Sequence, residues 1–214
     1  MSRVSSGRGP DGASAGAPSV SDDVLDTALE ALARWRKESR AVTVVAIDAP
    51  GASGKSTIAA HLASRVDVSL VHTDDFFRPA SSAGNRRPSL GDYYDLARLR
   101  TEALEPLRAG REAVFRCFDW DSATLPDRQV HVAPTEIVLV EGVYSGSPDL
   151  ADLVDKVIYV DTPEKERLYR LQGLIAPGDW DEDWLAAERD YFCTVRPLES
   201  VDLVISGSRR IAST

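Results

Sequence analysis

The chain has 214 residues, a formal charge of −9 at pH 7 and 43% hydrophobic residues. This size and apolar content favour one domain with a substantial core, and the acidic balance disfavours nucleic acid or an anionic membrane surface as a partner. Two distant cysteines, Cys117 and Cys193, do not have the spacing of a zinc site or a disulfide framework, and no apolar run is long enough to cross a bilayer. We therefore expect a cytoplasmic protein without nucleic-acid or membrane partners.

The first 20 residues differ in composition from the rest of the chain. Residues 1–20 are rich in Ser, Gly, Ala and Pro and contain almost nothing apolar, which predicts a disordered tail. Apolar residues then recur at helical spacing over residues 21–37, behind an acidic helix start. We expect residues 21–214 to form a single domain that begins with this helix.

A glycine-containing loop follows the first apolar run of this domain. Residues 42–48 predict a buried strand, and residues 49–57 have the sequence Ala-Pro-Gly-Ala-Ser-Gly-Lys-Ser-Thr, which leads into a helical pattern. A loop that wraps a triphosphate needs a backbone tolerant of unusual φ angles and a helix N-terminus aimed at the anion. The pattern therefore predicts a phosphate-binding loop, with Ala49 where the strict pattern has glycine. The residues expected to bind the nucleotide are Gly51, Ala52, Ser53, Gly54, Lys55, Ser56 and Thr57.

Lys55 and Ser56 have separate expected roles in this loop. The Lys55 ammonium can reach the β- and γ-phosphates of a nucleotide, and the Ser56 hydroxyl can bind Mg²⁺. The alternative is a Gly/Ser-rich turn that only connects a strand to a helix. Such a turn would not need a lysine followed by two hydroxyl residues.

Continuous apolar strands and helical segments alternate over the rest of the chain. The predicted strands cover residues 68–73, 113–118, 129–133, 137–140, 157–160 and 203–205, and the predicted helices cover residues 93–107 and begin at residues 163 and 181. This alternation predicts an α/β fold with a mostly parallel sheet and helices on both faces. Residues 78–88 predict a polar loop over the site, and residues 163–195 a lid region.

Acidic residues follow three of the predicted strands. In open α/β sheets, ligands bind beyond the carboxyl ends of the strands. Phosphoryl transfer to a hydroxyl needs an acid that accepts a proton and carboxylates that complete the Mg²⁺ shell, and Asp74 and Glu141 fit these roles. The alternatives are helix capping at Asp74 and Glu141, and a purely structural role is expected for Asp48 and Asp75.

Candidate contacts for a small hydroxylated acceptor lie in the middle of the chain. A few polar groups in a mostly apolar pocket usually hold such a molecule, and the candidates are Asp92, Tyr93, Phe118, Trp120, Arg78, Arg86 and Arg87. Ordinary packing of a helix start is the alternative for Tyr93, and a solvated loop is the alternative for Arg86 and Arg87. Trp180 and Trp184 are expected to pack within the lid region.

Three segments in this order resemble the uridine kinase family. They are Gly51-Ala52-Ser53-Gly54-Lys55-Ser56, His72-Thr73-Asp74-Asp75-Phe76-Phe77 and Val138-Leu139-Val140-Glu141-Gly142, within a resemblance that covers about residues 42–207. The relatives of this family include phosphoribulokinases and bacterial pantothenate kinases. The resemblance implies a P-loop NTPase fold of the nucleoside-kinase type, with ATP and Mg²⁺ as cofactors. It further implies Asp74 as the general base, Glu141 with Ser56 at Mg²⁺, and an acid near Asp92 at ribose hydroxyls.

Two departures from the family bear on the substrate and the lid. Uridine-phosphorylating members resemble Tyr-Asp-x-x-x-His after the hairpin strand, whereas residues 118–123 here end in Ala123, so the base-contacting histidine is missing. The lid helix of the family carries many arginines, and in this chain Arg170 is the lid cation expected at the phosphates. Exposure on a solvated helix face is the alternative for Arg170.

The motifs together predict an ATP-dependent kinase for a nucleoside or a related small metabolite. A GTPase-type switch is the first alternative, but the guanine-reading Asn-Lys-x-Asp segment is missing, because the only asparagine is Asn85 and Arg86 follows it. A nucleotide-binding regulator without catalysis is the second alternative. The sequence leaves open the acceptor, the preference for ATP over GTP and whether the chain forms a homo-oligomer.

Overall fold

The structure is a computed structural model, and it describes residues 21–39, 41–78, 86–172 and 182–208. In this part of the chain, five strands form a parallel sheet in the order β2-β5-β1-β6-β7, and two more form a hairpin, β3-β4. The strands are β1 Thr43–Asp48, β2 Ser69–His72, β3 Ala113–Arg116, β4 Gln129–Val132, β5 Ile137–Glu141, β6 Lys156–Asp161 and β7 Leu203–Ser206. Every predicted strand is confirmed to within two residues at each end.

The helices lie on both faces of the parallel sheet. They are α1 Asp22–Glu38, α2 Lys55–Arg65, α3 Leu90–Tyr93, α4 Leu96–Arg98, α5 Glu105–Arg108, α6 Glu164–Gln172 and α7 Glu182–Asp190. Shorter 3₁₀ turns cover Thr73–Phe76, Pro148–Leu150 and Leu198–Ser200, and π-helical turns cover Leu99–Leu104 and Tyr191–Val195. The fold is therefore the predicted α/β class.

Alternate residues of the central strand face two separate apolar clusters. Val45 and Ile47 of β1 pack with α1 and α2 on one face, and Val44 and Ala46 pack on the other with the helical segment around Leu99–Leu104. All six residues of β1 are buried, as expected for a strand covered on both sides. The strand order places β1 between β5 and β6, with β2 to one side of it and β6 and β7 to the other. The carboxyl end of β1 is therefore at a topological switch point, which is where open α/β sheets usually bind ligands.

The prediction of one continuous helix over residues 93–107 was wrong at its start. Helix α3 already begins at Leu90, and Tyr94 is extended, with φ −126° and ψ 134°, and pairs with Phe77 in an isolated antiparallel bridge. Asp95 then begins a new helix by accepting a hydrogen bond from the Arg98 amide at 3.1 Å. The helical spacing of the apolar residues persists across this break, which explains why the pattern did not reveal it.

Two further predictions fall partly or wholly outside the described residues. The tail of residues 1–20 lies outside them, as do residues 79–85 of the predicted loop and residues 173–181 of the predicted lid. Among the helices that are described, none is long and apolar enough to span a membrane.

Candidate active site

The loop between β1 and α2 contains two residues with left-handed backbone. Ala52 has φ 58° and Gly54 has φ 98°, and such residues turn neighbouring amides to one side, as in anion-binding backbone nests. Helix α2 starts directly after Gly54, so its N-terminal amides, including that of Thr57, adjoin the loop and point away from the hydrogen-bond ladder of the helix. The Lys55 side chain is buried, and its Nζ lies 3.3 Å from the Pro50 carbonyl oxygen. The predicted phosphate-binding loop therefore has the backbone that such a loop needs.

The rear of this loop is fastened to the ends of β6 and β7. Thr162 donates a hydrogen bond from its Oγ1 to the Ser53 carbonyl at 2.8 Å. A β-carbon added to Gly207 would lie 2.2 Å from that same carbonyl oxygen and 2.2 Å from Thr162 Oγ1. Only a glycine at position 207 allows the chain after β7 to approach the loop this closely.

We expect Gly207→Ala to weaken nucleotide binding. Since the added methyl group would overlap the Ser53 carbonyl, the loop must move, and overpacking of this kind costs about 1–3 kcal/mol. Calorimetric titration with MgATP and chemical denaturation would measure both effects. The control is Gly110→Ala, because its φ of 67° strains an added side chain while no atom lies within 4 Å of the added carbon, so this variant can lose stability without contact with the loop. Equal ATP affinities of the two variants would contradict the prediction.

Arg170 of α6 lies against the predicted phosphate-binding loop. Its guanidinium donates to the carbonyls of Ala52 at 3.1 Å, Ser53 at 3.2 Å and Gly207 at 2.8 Å, and it pairs with Glu166 at 2.5 Å. Arg170 is therefore not on a solvated helix face. Its contact with nucleotide phosphates stays a prediction.

Glu141 and Ser56 meet at the carboxyl end of the sheet. Ser56 Oγ donates to Glu141 Oε2 at 3.3 Å, and Glu141 Oε1 lies 2.5 Å from His72 Nδ1. Burial opposes the charged form of His72, but the hydrogen bond and the negative charge of Glu141, with those of Asp75 and Asp74, outweigh it and raise the pKa of His72 to about 9. The Glu141 carboxylate is thus held in place by one hydroxyl and one imidazole.

The donor set at this point suits a hard cation that keeps most of its water. Among the described residues, no group of three or more His, Cys, Asp or Glu side chains could hold a metal ion by itself. Mg²⁺ is usually bound through one or two carboxylates plus substrate phosphates and water. One hydroxyl and one carboxylate beside a phosphate-binding loop fit that requirement.

Asp74 and Asp75 occupy one 3₁₀ turn but have different surroundings. Tyr94 donates from its Oη to Asp74 Oδ1 at 3.5 Å, so Asp74 lies at the side of the turn where α3 ends. Asp75 is hydrogen-bonded to Cys117, and burial raises its pKa, against the lowering effect of the His72 charge. These contacts agree with a structural role for Asp75 and leave Asp74 as the candidate for chemistry.

Asp48 is enclosed by hydrogen-bond donors. Its carboxylate accepts from the amides of Tyr144 and Gly146, both at 3.0 Å, and from the Tyr191 hydroxyl at 2.8 Å. Burial raises the pKa of Asp48 to about 6, although these donors and Lys55 lower it. Asp48 therefore joins β1 to the segment after β5 and to the turn after α7, which is the structural role expected for it.

Among the candidate contacts for the acceptor, the structure separates Asp92 and Tyr93 from Arg78 and Phe118. Asp92 accepts a hydrogen bond from the Ser89 amide at 2.8 Å as part of a capping box. Both of its carboxylate oxygens also accept from the Arg86 guanidinium, and these hydrogen bonds hold the pKa of Asp92 well below the usual range. Tyr93 is buried and stacks on Phe77 with 6.1 Å between ring centroids. The Asp92 carboxylate is thus engaged in protein contacts, and its substrate role stays a prediction.

Arg78 and Phe118 form the second group, since both line the same cavity. The cavity has a volume of about 210 Å³, and its lining consists of Phe77, Arg78, Asp95, Arg98, Phe118, Ala123, Thr124 and Leu125. Trp120 packs nearby, 4.4 Å from Phe77 between ring centroids. Ala123, at the position of the family histidine, therefore lies in the wall of a pocket next to the turn that carries Asp74.

Sequence reasoning missed a pair of buried charged residues at the phosphate-binding loop. Glu188 of α7 accepts the Gly51 amide at 2.6 Å, and Arg167 of α6 donates to the Gly51 carbonyl at 2.7 Å. One signal in the sequence could have revealed Glu188, because it has helical spacing with Trp184 and Tyr191, which pack in an apolar cluster. An acidic residue on the apolar side of a helix is buried only when it has a partner.

Known proteins resemble this chain in sequence and in fold. A curated uridine kinase from Limosilactobacillus reuteri is 23% identical to it over 76% of this chain and 78% of the relative. A curated uridine kinase from Shewanella denitrificans is 24% identical over 82% of this chain and 93% of the relative. A uridine kinase from Staphylococcus aureus is 26% identical over 61% of this chain and 67% of the relative. No protein-family model matches the chain.

Two solved structures share the architecture. One, from Bacillus stearothermophilus, is described as a possible uridine kinase and matches with a TM-score of 0.66 and 21% identity over 86% of this chain and 97% of the other. The second, from Silicibacter, is provisionally described as a fructose transport system kinase and matches with a TM-score of 0.58 and 20% identity over 84% of this chain and 98% of the other. The protein has the fold of a P-loop kinase. Within that class, the chain resembles uridine kinases in sequence at 23–26% identity, in agreement with the resemblance of its motifs.

Proposed function

We propose that the protein is a kinase that transfers the γ-phosphoryl group of ATP to a hydroxyl of a nucleoside or a related small metabolite. The observation that carries this proposal is the contact of Ser56 Oγ with Glu141 Oε2 at 3.3 Å, directly after the phosphate-binding loop. It joins the two expected Mg²⁺ ligands, which lie 85 residues apart in the sequence. A switch or a scaffold has no need for Asp74 at the same end of the sheet.

The loop residues fit a triphosphate. The Ser53 side-chain oxygen is buried and has no hydrogen-bond partner among the described residues, and a buried polar group of this kind needs a partner. The loop from Gly51 to Ser56 would enclose the phosphates and hold them chiefly through the amides that follow Gly54, with Lys55 and Arg170 as cations. Ser56 and Glu141, with Asp74 nearby, would hold Mg²⁺, which supplies charge neutralisation at the transferred group.

Asp74 would orient the acceptor hydroxyl and take up its proton. Asp74 lies in the turn that follows β2, and Phe77, which ends that turn, forms part of the cavity wall. The Tyr94 hydroxyl limits the rotation of the carboxylate through the 3.5 Å contact. Holding the hydroxyl in line with the phosphoryl group is the main protein contribution in this class of reaction.

The cavity wall bears on which acceptor is used. Aromatic rings from Phe77, Phe118 and Trp120 suit a flat or partly apolar acceptor, such as a nucleoside, and Arg78 could meet an anionic one. The Ala123 side chain cannot form a hydrogen bond with a nucleobase. A non-nucleoside acceptor, such as a sugar or a sugar alcohol, is therefore the second candidate. One structural neighbour has a description of that kind.

A screen of acceptors tests the proposal. The purified full chain with MgATP would be incubated with nucleosides first, then with sugars, sugar alcohols and vitamins, and mass spectrometry would detect an acceptor heavier by one phosphoryl group. We expect one compound class to be phosphorylated, with stoichiometric formation of ADP. MgATP binding without phosphorylation of any compound would favour a non-catalytic regulator instead, and no MgATP binding would overturn both proposals. A cytoplasmic location, where ATP and Mg²⁺ are available, belongs to this proposal.

A further inference from the structure

Two lid helices hold the start of the phosphate-binding loop through a buried ion pair. Glu188 Oε2 accepts the Gly51 amide at 2.6 Å, Arg167 Nη1 donates to the Gly51 carbonyl at 2.7 Å, and the two side chains contact each other at 3.1 Å. The Arg167 side chain is 11% exposed and that of Glu188 is 3% exposed. Both peptide groups that flank Gly51 are therefore fixed by side chains from α6 and α7.

We propose that Glu188 is a positioning residue for the nucleotide. Its carboxylate sets the orientation of the Gly51 peptide and of Arg167, so that the loop accepts a triphosphate without rearranging. This inference rests on the proposed function, since it concerns how the same loop receives ATP.

The position of the contact indicates support of the loop rather than competition with the phosphates. Phosphate groups bind at the amides of a helix N-terminus, which here follow Gly54. Gly51 lies three residues earlier in the chain, and a β-carbon added there would be 3.3 Å from Glu188 Oε2 and 3.6 Å from Trp184 Cη2. The lid thus packs on the near end of the loop and leaves the helix end free of the carboxylate.

Electrostatics explain why the carboxylate needs Arg167. A buried negative charge next to a triphosphate would repel it, and an unpaired buried charge is strongly unfavourable. Burial raises the pKa of Glu188, while Arg167, the Gly51 amide and Lys55 lower it. Arg167 therefore neutralises the group that positions the loop.

This arrangement predicts a specific order of affinities. Since hydrogen bonds between charged groups are worth about ten- to a hundredfold in an equilibrium constant, Glu188→Gln should weaken MgATP binding by about tenfold. Arg167→Gln should weaken it by about a hundredfold, because it leaves the carboxylate unpaired beside the phosphates. The double variant should bind more tightly than Arg167→Gln alone, because the repelling charge has been removed.

Calorimetric titration of the four proteins with MgATP tests the proposal, and thermal unfolding without nucleotide reports their stability separately. The matched control is Glu182→Gln, which removes the same charge from an exposed position of α7 and should bind like the wild type. If wild type binds MgATP and Glu188→Gln binds equally well or more tightly, the inference fails while the proposed function stands. A double variant no better than Arg167→Gln would also overturn it, and a wild type that does not bind MgATP would instead overturn the proposed function.

Discussion

Asp74→Asn is expected to lower turnover by about 100- to 10,000-fold while leaving the affinity for MgATP nearly unchanged, as is usual when a general base is removed. The substitution keeps the size of the side chain and an oxygen that can accept the Tyr94 hydroxyl. It removes the group that takes up the acceptor proton but keeps a carbonyl oxygen that can face Mg²⁺, and Asp74 follows β2 and does not belong to the phosphate-binding loop. Steady-state kinetics with the acceptor found by screening, together with calorimetry for MgATP, would measure the two effects.

The control for this variant is Asp67→Asn, which makes the same change at an exposed position before β2. It should have the kinetics of the wild type. Turnover of Asp74→Asn within a few-fold of the wild type would show that another group accepts the proton.

Lys55→Met is expected to reduce turnover by about 100- to 1,000-fold, the usual cost of removing one group that stabilises charge in a transition state. Unlike Asp74→Asn, it should also weaken MgATP binding, because Lys55 lies in the loop that holds the phosphates in both ground state and transition state. The methionine fills the space of the buried lysine stem, so the fold should persist. Kinetics and calorimetry under the same conditions would separate the two effects.

Lys165→Met serves as the control, since Lys165 is an exposed lysine at the start of α6. Thermal unfolding should show that Lys55→Met remains folded. A folded Lys55→Met protein with wild-type kinetics would contradict the assignment of Lys55 to the phosphates.

Short-range sequence patterns made most of the fold predictable, and they also located the residues proposed to bind the phosphoryl donor. The phosphate-binding loop is a local signal, because glycine positions, the lysine and the hydroxyls occur within residues 49–57 next to a strand and a helix. Glu141 was predictable for a different reason: it ends a buried strand, and parallel strands bring their carboxyl ends to one edge of the sheet. The structure confirms that Glu141 and Ser56 meet there.

The remaining contacts depend on tertiary packing. Glu188 reaches Gly51 across 137 residues, and no local pattern encodes a pair at that separation. The extended Tyr94 between α3 and α4 is set by its pairing with Phe77, which overrides the helical tendency of the neighbouring residues. The contacts of Asp92 with Ser89 and Arg86 were likewise not predicted from the sequence, and the role of Asp92 at a substrate stays a prediction.

The β3–β4 hairpin forms a small sheet of its own, apart from the parallel one. Cys117 and Phe118 are hydrogen-bonded to Asp75 in the turn after β2, whereas residues 119–124 form a turn closed by their own Asp119–Thr124 pairing. This turn can therefore change in sequence without altering the strands of the parallel sheet. Under the proposed function, this separation would let the acceptor specificity change while ATP remains the phosphoryl donor. Residues 119–124 are accordingly the segment to exchange when the proposed kinase is engineered for a new acceptor.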